Sequence, residues 1–209
     1  MLPRQPTRFA FGLTLILALA ACTSKQEPIP IDTASVAPGT QITRQGETIA
    51  LLGPGIAIGQ KLPETGLVDG ATMQSITFSD YRGQVLLLSI VPSIDTKVCE
   101  IQSHYLGEQG DRLPTAVKRI TISRDTPFAQ ARFAKEAKLE DVQFLSDYKE
   151  GAFGRSTGLL IENSRLLARS LIVVDQQGIV QYIQVVPDSS HLPDMEKAFT
   201  KAAALAATP

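Results

Sequence analysis

Residues 84–91, QVLLLSIV, constrain this chain more than any other stretch. Apart from Ser89 the run is apolar from Val85 to Val91. A strand with one wet face alternates apolar and polar residues. An unbroken apolar run instead suits a central strand covered on both faces, as in sheets with helical crossovers. Pro92 closes the run: it fixes its own backbone angle and biases Val91 toward an extended form. The chain then changes character. A helix is predicted over 96–109, ending near Gly110. Cys99 therefore falls where a buried strand hands over to a helix.

The remaining elements arrange themselves around that strand. GETIALLG (46–53) and MQSITFSDY (73–81) read as strands before it, and AVKRITIS (116–123) as the next one after it. Thr126-Pro127 is a helix start, a capping hydroxyl followed by proline in the first turn. FAQARFAKEAKL continues it as an amphipathic helix whose charged residues form a solvated face. DVQFLS reads as a short strand, with a short helix over 147–155. RSLIVVD (169–175) and IVQYIQVV (179–186) form a hairpin across Gln176-Gln177-Gly178. The alanine-rich stretch 191–207 closes the chain as a helix. This order predicts an α/β domain with a mixed sheet flanked by helices, parallel at first and antiparallel at the hairpin. A thioredoxin-like fold has this order.

Composition narrows the function classes. The 209 residues have room for one domain over 46–209 plus an N-terminal part. A formal net charge of −1 gives no basic footprint for nucleic acid. Two histidines and two cysteines, far apart in sequence, do not make a zinc site. No metal, haem or nucleotide signature appears, so no cofactor is expected.

The N-terminus reads separately. Arg4 and Arg8 precede FAFGLTLILALAA, a run short for a membrane span and shaped like a secretory signal over residues 1–21. Its end, Leu19-Ala20-Ala21-Cys22, resembles the lipobox of bacterial lipoproteins, whose cysteine is acylated on sulfur. An uncleaved anchor and an ordinary signal peptide are the blander readings. The order of basic start, apolar core, small residues and cysteine favours the lipoprotein. Residues 22–45, with Pro28, Pro30 and Pro38 among polar residues, then read as a lipidated start and flexible tether. Thr23 stands after Cys22 with no aspartate there. In Gram-negative lipoproteins that pattern goes with the outer membrane, here facing the periplasm. A lipid on Cys22 rules out a Cys22–Cys99 disulfide and leaves Cys99 as the lone thiol.

At a helix N-terminus, unpaired N–H groups and the helix dipole favour negative charge. Thr96, three residues before Cys99, brings a hydroxyl toward the sulfur on a first helical turn. Ser93 and Asp95 read as helix-capping residues. His104, near one turn beyond Cys99, reads as a partly buried or solvated helix histidine, with a base as the alternative, and His191 as a helix-start residue. Arg132 and Phe133 read as a packed helix face.

Pro92, Thr96 and Cys99 fill P-x-x-x-T-x-x-C, the site signature of peroxiredoxins, and PSIDTKVC resembles the thiol peroxidase branch in particular. ISRDTPFAQARF (122–133) and LARSLIVVD (167–175) are similar to that branch's later segments, and the resemblance runs over roughly residues 45–205. It implies that Cys99 attacks peroxide, that Thr96 and Arg169 hold the peroxide oxygens, and that Pro92 shapes the pocket. A guanidinium offers several donors in one plane to developing charge. The resemblance also implies peroxide substrates, a thiol reductant and a homodimer. Two positions depart from it. Val91 stands where phenylalanine commonly precedes the proline. Ala134 stands where the branch carries its resolving cysteine, so an internal disulfide cycle is excluded by residue inventory. An outside thiol, a small molecule or a thioredoxin-like protein, is then expected to resolve Cys99; pairing of two Cys99 residues from different chains, and a sulfenic acid that persists as a signal or over-oxidises, are the other outcomes. The competing reading is a non-catalytic envelope lipoprotein that keeps the scaffold for binding. A disulfide oxidoreductase ranks last, because Thr96 replaces the first cysteine of C-x-x-C.

Overall fold

The computed structural model describes residues 28–207. The elements in chain order are β1 (Ile31–Asp32), β2 (Gln41–Arg44), β3 (Glu47–Leu52), β4 (Leu67–Asp69), β5 (Ser75–Ile76), β6 (Val85–Ile90), α1 (Lys97–Glu108) and β7 (Val117–Ser123). They continue as α2 (Pro127–Glu136), β8 (Gln143–Ser146), α3 (Ala152–Thr157), β9 (Leu160–Ile161), β10 (Ser170–Val174), β11 (Val180–Val185), β12 (Leu192–Pro193) and α4 (Met195–Ala206).

The main sheet runs β11-β10-β6-β7-β8-β4-β5. β6, β7 and β8 are parallel; β10 and β4 flank them antiparallel, and β11 and β5 pair antiparallel with β10 and β4 at the edges. This is the expected mixed sheet flanked by helices, with the apolar run near its middle. Every residue of β6 is buried, and the two-residue period of a strand deals them to opposite faces. Leu86, Leu88 and Ile90 enter one core with Phe78, Phe153, Leu160 and Ile172. Val85, Leu87 and Val91 enter the other with Leu106, Leu171, Met195 and Phe199. α1, α2 and α4 cover the second face. α3 and the small sheet β2-β3-β9 cover the first.

Four local readings change. The stretch expected as tether is docked over residues 28–45. β1 pairs with β12 in parallel, and β2 forms a hairpin with β3. Side chains hold the segment where hydropathy gave little sign: Gln184 Nε2 donates to the carbonyls of Asp32 and Ala34, and buried Ile42 enters the core. The strand expected over 73–81 splits. Asp80 accepts the N–H of Thr77 and turns the chain into a 3-10 turn, Phe78–Tyr81. The helix expected over 147–155 begins only at Ala152, because the Asp147 carboxylate takes the N–H groups of Phe153 and Gly154. The last helix begins at Met195 with Asp194 as its cap, since Leu192 and Pro193 are drawn into β12. Residues 1–21 and Cys22, read as signal and lipidation site, lie outside the described residues.

Candidate active site

The site is made by register. Ser170 of β10 faces Ile90 of β6 in an antiparallel pair. The residue before Ser170 therefore lies beside the exit of β6, and that residue is Arg169. α1 starts from the same exit. The sheet thus brings together two residues seventy positions apart in sequence. Arg169 Nη2 lies 3.4 Å from Cys99 Sγ.

Thr96 approaches from the other side. It is the N-cap of α1, in extended backbone, yet its hydroxyl caps nothing. It donates to Cys99 Sγ at 2.9 Å, with the Ser93 carbonyl 3.3 Å away as its other acceptor. Cys99 is fully buried, and among the described residues it is the only free cysteine. One sulfur thus receives a hydroxyl and a guanidinium, both donors, in a site shielded from water. Such donors are worth far more there than in bulk solvent.

Both donors are themselves held. Arg169, only 2% exposed, donates from Nη1 to Gln102 Oε1 at 2.8 Å and from Nε and Nη2 to the Ser189 carbonyl. Gln102 is fully buried and donates in turn to Ser89 Oγ at 2.8 Å. The loop before α1 is clamped by Asp125. One carboxylate oxygen accepts from Ser93 Oγ at 2.8 Å, the other from the N–H of Ile94 at 2.9 Å. Sequence reasoning missed Gln102 and Asp125. A signal for each was present: Gln102 lies three residues beyond Cys99, on its helix face, and Asp125 stands just before the cap Thr126.

A cavity of about 230 Å3 lies over the site, lined in part by Pro92, Thr96, Val98, Ile161, Leu166 and Arg169. The other candidates fall elsewhere. Ser93 serves the Asp125 clamp and caps no helix, and Asp95 is exposed, its N–H donating to Ser93 Oγ. His104 faces Glu108 at 3.1 Å and Glu100 at 4.0 Å on the surface of α1. His191 does not start a helix; it pairs with Asp32 at 3.0 Å and helps hold β1. Phe133 packs edge-on against Phe144, while Arg132 is exposed. Ala134 is half-buried against the core beside them.

A thioredoxin-like sheet with one buried thiol at the helix start after its central strand, met by a hydroxyl and a guanidinium, defines a thiol-based redox protein. The Redoxin family model matches residues 57–199. A thiol peroxidase of Halalkalibacterium halodurans is 38% identical over 163 residues, 78% of this chain and 97% of that protein. One of Staphylococcus saprophyticus is 40% identical over 158 residues, 76% of this chain and 94% of that protein. Among solved structures, a peroxiredoxin-like protein from Aquifex aeolicus superposes with a TM-score of 0.75 at 27% identity, covering 81% of this chain and 99% of that one. A thiol peroxidase from Chromobacterium violaceum, at 19% identity and a TM-score of 0.65, shares the fold over 75% of this chain and 91% of that one. The chain belongs to the Redoxin family, in the thiol peroxidase branch of the peroxiredoxins.

Proposed function

We propose that Cys99 is the peroxidatic cysteine of a one-cysteine thiol peroxidase. The observation that carries the reading is the pair of donors on one buried sulfur, Thr96 Oγ1 at 2.9 Å and Arg169 Nη2 at 3.4 Å. Both stabilise negative charge on Sγ before reaction. The thiolate attacks one peroxide oxygen, the O–O bond breaks, and the other oxygen takes a proton and leaves as water or alcohol. Charge builds on that leaving oxygen, and Arg169 and Thr96 can turn to meet it. Pro92 walls the pocket. Cys99 is left as a sulfenic acid.

Ala134 offers no second thiol, so an external thiol attacks the sulfenic sulfur and water leaves. A second thiol then frees Cys99 from the mixed disulfide. Hydrogen peroxide and small organic or lipid hydroperoxides are the substrates of this reading. Lipid on Cys22 anchors the domain at the outer membrane, facing the periplasm and close to lipid peroxides, and a homodimer completes it. The alanine at position 134 also favours a second reading, a non-catalytic envelope lipoprotein that keeps the scaffold for binding.

Stopped-flow oxidation of the reduced protein by hydrogen peroxide separates the two, with Cys99→Ser as control and intact mass as product readout. A rate far above that of free cysteine, with one oxygen added at Cys99, is expected. A rate equal to free cysteine overturns the peroxidase in favour of the binding protein.

A further inference from the structure

The cavity over Cys99 has an uneven charge. Two arginines line it, Arg169 and Arg44, and no carboxylate does. Pro92, Val98, Ile161 and Leu166 give the rest of the wall an apolar stretch, set among serines, Thr96 and Gln45. Arg169 is buried and already engaged with Gln102, Ser189 and the sulfur. Arg44 is exposed, and no hydrogen bond or ion pair among the described residues engages its guanidinium. Even Glu47, its partner in the β2–β3 register, makes no ion pair with it.

The place of Arg44 is nonetheless fixed. Gln45 and Gly46 both have positive φ, 53° and 83°, the pattern of a tight two-residue hairpin turn. Thr43, the residue before Arg44, is tied to the loop 187–189. Its N–H and hydroxyl donate to the Pro187 carbonyl, and its own carbonyl accepts the N–H of Ser189. The Ser189 carbonyl in turn holds Arg169. One short loop therefore sets both cations of the cavity, the inner one at the sulfur and the outer one at the mouth.

We infer that Arg44 is a specificity-determining residue that selects small reactants of Cys99 bearing a carboxylate. This rests on the reading of Cys99 as the reacting thiol. The reactant places its reactive group at Cys99, its carbon chain along the apolar wall and its carboxylate on Arg44. A guanidinium can meet a carboxylate with two parallel hydrogen bonds. At about 230 Å3 the cavity lies below the ~300 Å3 lower end of drug-sized pockets, which keeps the chain short. A hydroperoxide and the resolving thiol both must reach the same buried sulfur, so either can carry the carboxylate.

The test compares rates for a carboxylate and its methyl ester, in wild type, Arg44→Lys and Arg44→Gln. Oxidation of Cys99 uses 4-hydroperoxy-4-methylpentanoate, and reduction of the sulfenic form uses 3-mercaptopropionate. 3-Maleimidopropionate against its methyl ester, whose carboxylate stands a short chain away from the reacting carbon, reads the same preference by alkylation of Cys99, without any peroxidase chemistry. The preference for the carboxylate is expected to fall up to roughly fivefold in Arg44→Gln, the scale of one exposed ion pair. It should survive in Arg44→Lys and shrink near 1 M salt, where screening acts within about 3 Å. A fall in the peroxide arm assigns the hydroperoxide, and a fall in the thiol arm assigns the reductant. Equal preferences in wild type and Arg44→Gln in all arms overturn the inference. A wild-type hydrogen peroxide rate no better than free cysteine defeats the peroxidase reading instead, and the alkylation ratio then still decides the role of Arg44.

Discussion

Replacing Thr96 with valine removes one hydroxyl and keeps the shape of the side chain. The residue sits in extended backbone, φ −118° and ψ 143°, which suits a β-branched side chain. Its hydroxyl caps no backbone N–H of α1, although Thr96 holds the N-cap position. The bond that is lost is the one to Cys99 Sγ at 2.9 Å, together with the longer alternative to the Ser93 carbonyl at 3.3 Å. A hydrogen bond to a charged group contributes about 1.5–3 kcal/mol. At about 1.4 kcal/mol per factor of ten, oxidation by hydrogen peroxide should slow between roughly 10-fold and 150-fold. Stability should move by no more than about 0.5 kcal/mol, as for an exposed side chain whose hydroxyl caps no helix N–H.

The expected pattern is thus a slow enzyme that is as stable as the wild type. Stopped-flow oxidation of the reduced thiol gives the rate, and urea unfolding gives the stability. Thr96→Ser keeps the hydroxyl and should recover most of the rate. Thr126 is the internal contrast. Its Oγ1 accepts the N–H of Ala129 at 3.3 Å, so Thr126→Val should lower stability by about 1 kcal/mol. A Thr96→Val rate within twofold of wild type would refute the assigned role of the hydroxyl. So would a stability loss matching that of Thr126→Val.

Three further variants test the supports of the site. Gln102→Met keeps the length but removes the acceptor of Arg169 Nη1, so peroxide oxidation should slow by roughly tenfold or more, with Gln102→Glu restoring part of it; an unchanged Gln102→Met rate rules out this positioning role. The Asp188 carboxyl is held below the usual range by the hydroxyl and then the N–H of Ser190. A lowered carboxylate stabilises the fold above its unfolded value and loses that contribution as pH falls through the folded one. Asp188→Asn should therefore be less stable than wild type at neutral pH, with the gap closing on acidification below about pH 4, as read by thermal melts across pH. Asp125→Asn leaves an amide N–H₂ facing a donor in the 93–94 clamp, so α1 should open more readily. Starting from preformed sulfenic acid, reduction by a thioredoxin-like protein should speed up relative to reduction by a small thiol, and an unchanged ratio counts against the clamp.

Much of the site was legible because its chemistry is local. Thr96 and Cys99 share one helical turn, and three residues of spacing suffice to aim a hydroxyl at a sulfur. Arg169 is different. Nothing local says that it approaches Cys99; the family resemblance implied it, and the physical cause is the Ser170–Ile90 register. Gln102 and Asp125 were hidden for a related reason. A polar residue on a helix and an aspartate before a cap have ordinary local explanations, and only the packed structure gives them partners. The N-terminal hairpin was hidden by composition. Residues 28–45 are polar and proline-bearing, and their order comes from Gln184, Pro187 and Ser189, side chains and carbonyls far along the chain.

That hairpin changes what the missing second thiol means. With β2 docked, Arg44 and Gln45 close one side of the cavity, and Cys99 remains fully buried. With Ala134, Cys99 is the only thiol among the described residues. Cys99 does not itself line that cavity and has no exposed surface, so a protein thiol reaches its sulfur only when the shell around it shifts, the first turn of α1 included. That turn is held by the Asp125 clamp and by the bond from the N–H of Glu100 to the Thr96 carbonyl. A small thiol needs a smaller opening. The same docking that orders the peroxide site therefore favours small molecules in the reductive half of the cycle. A protein reductant must work against more of the bonds that hold the site closed.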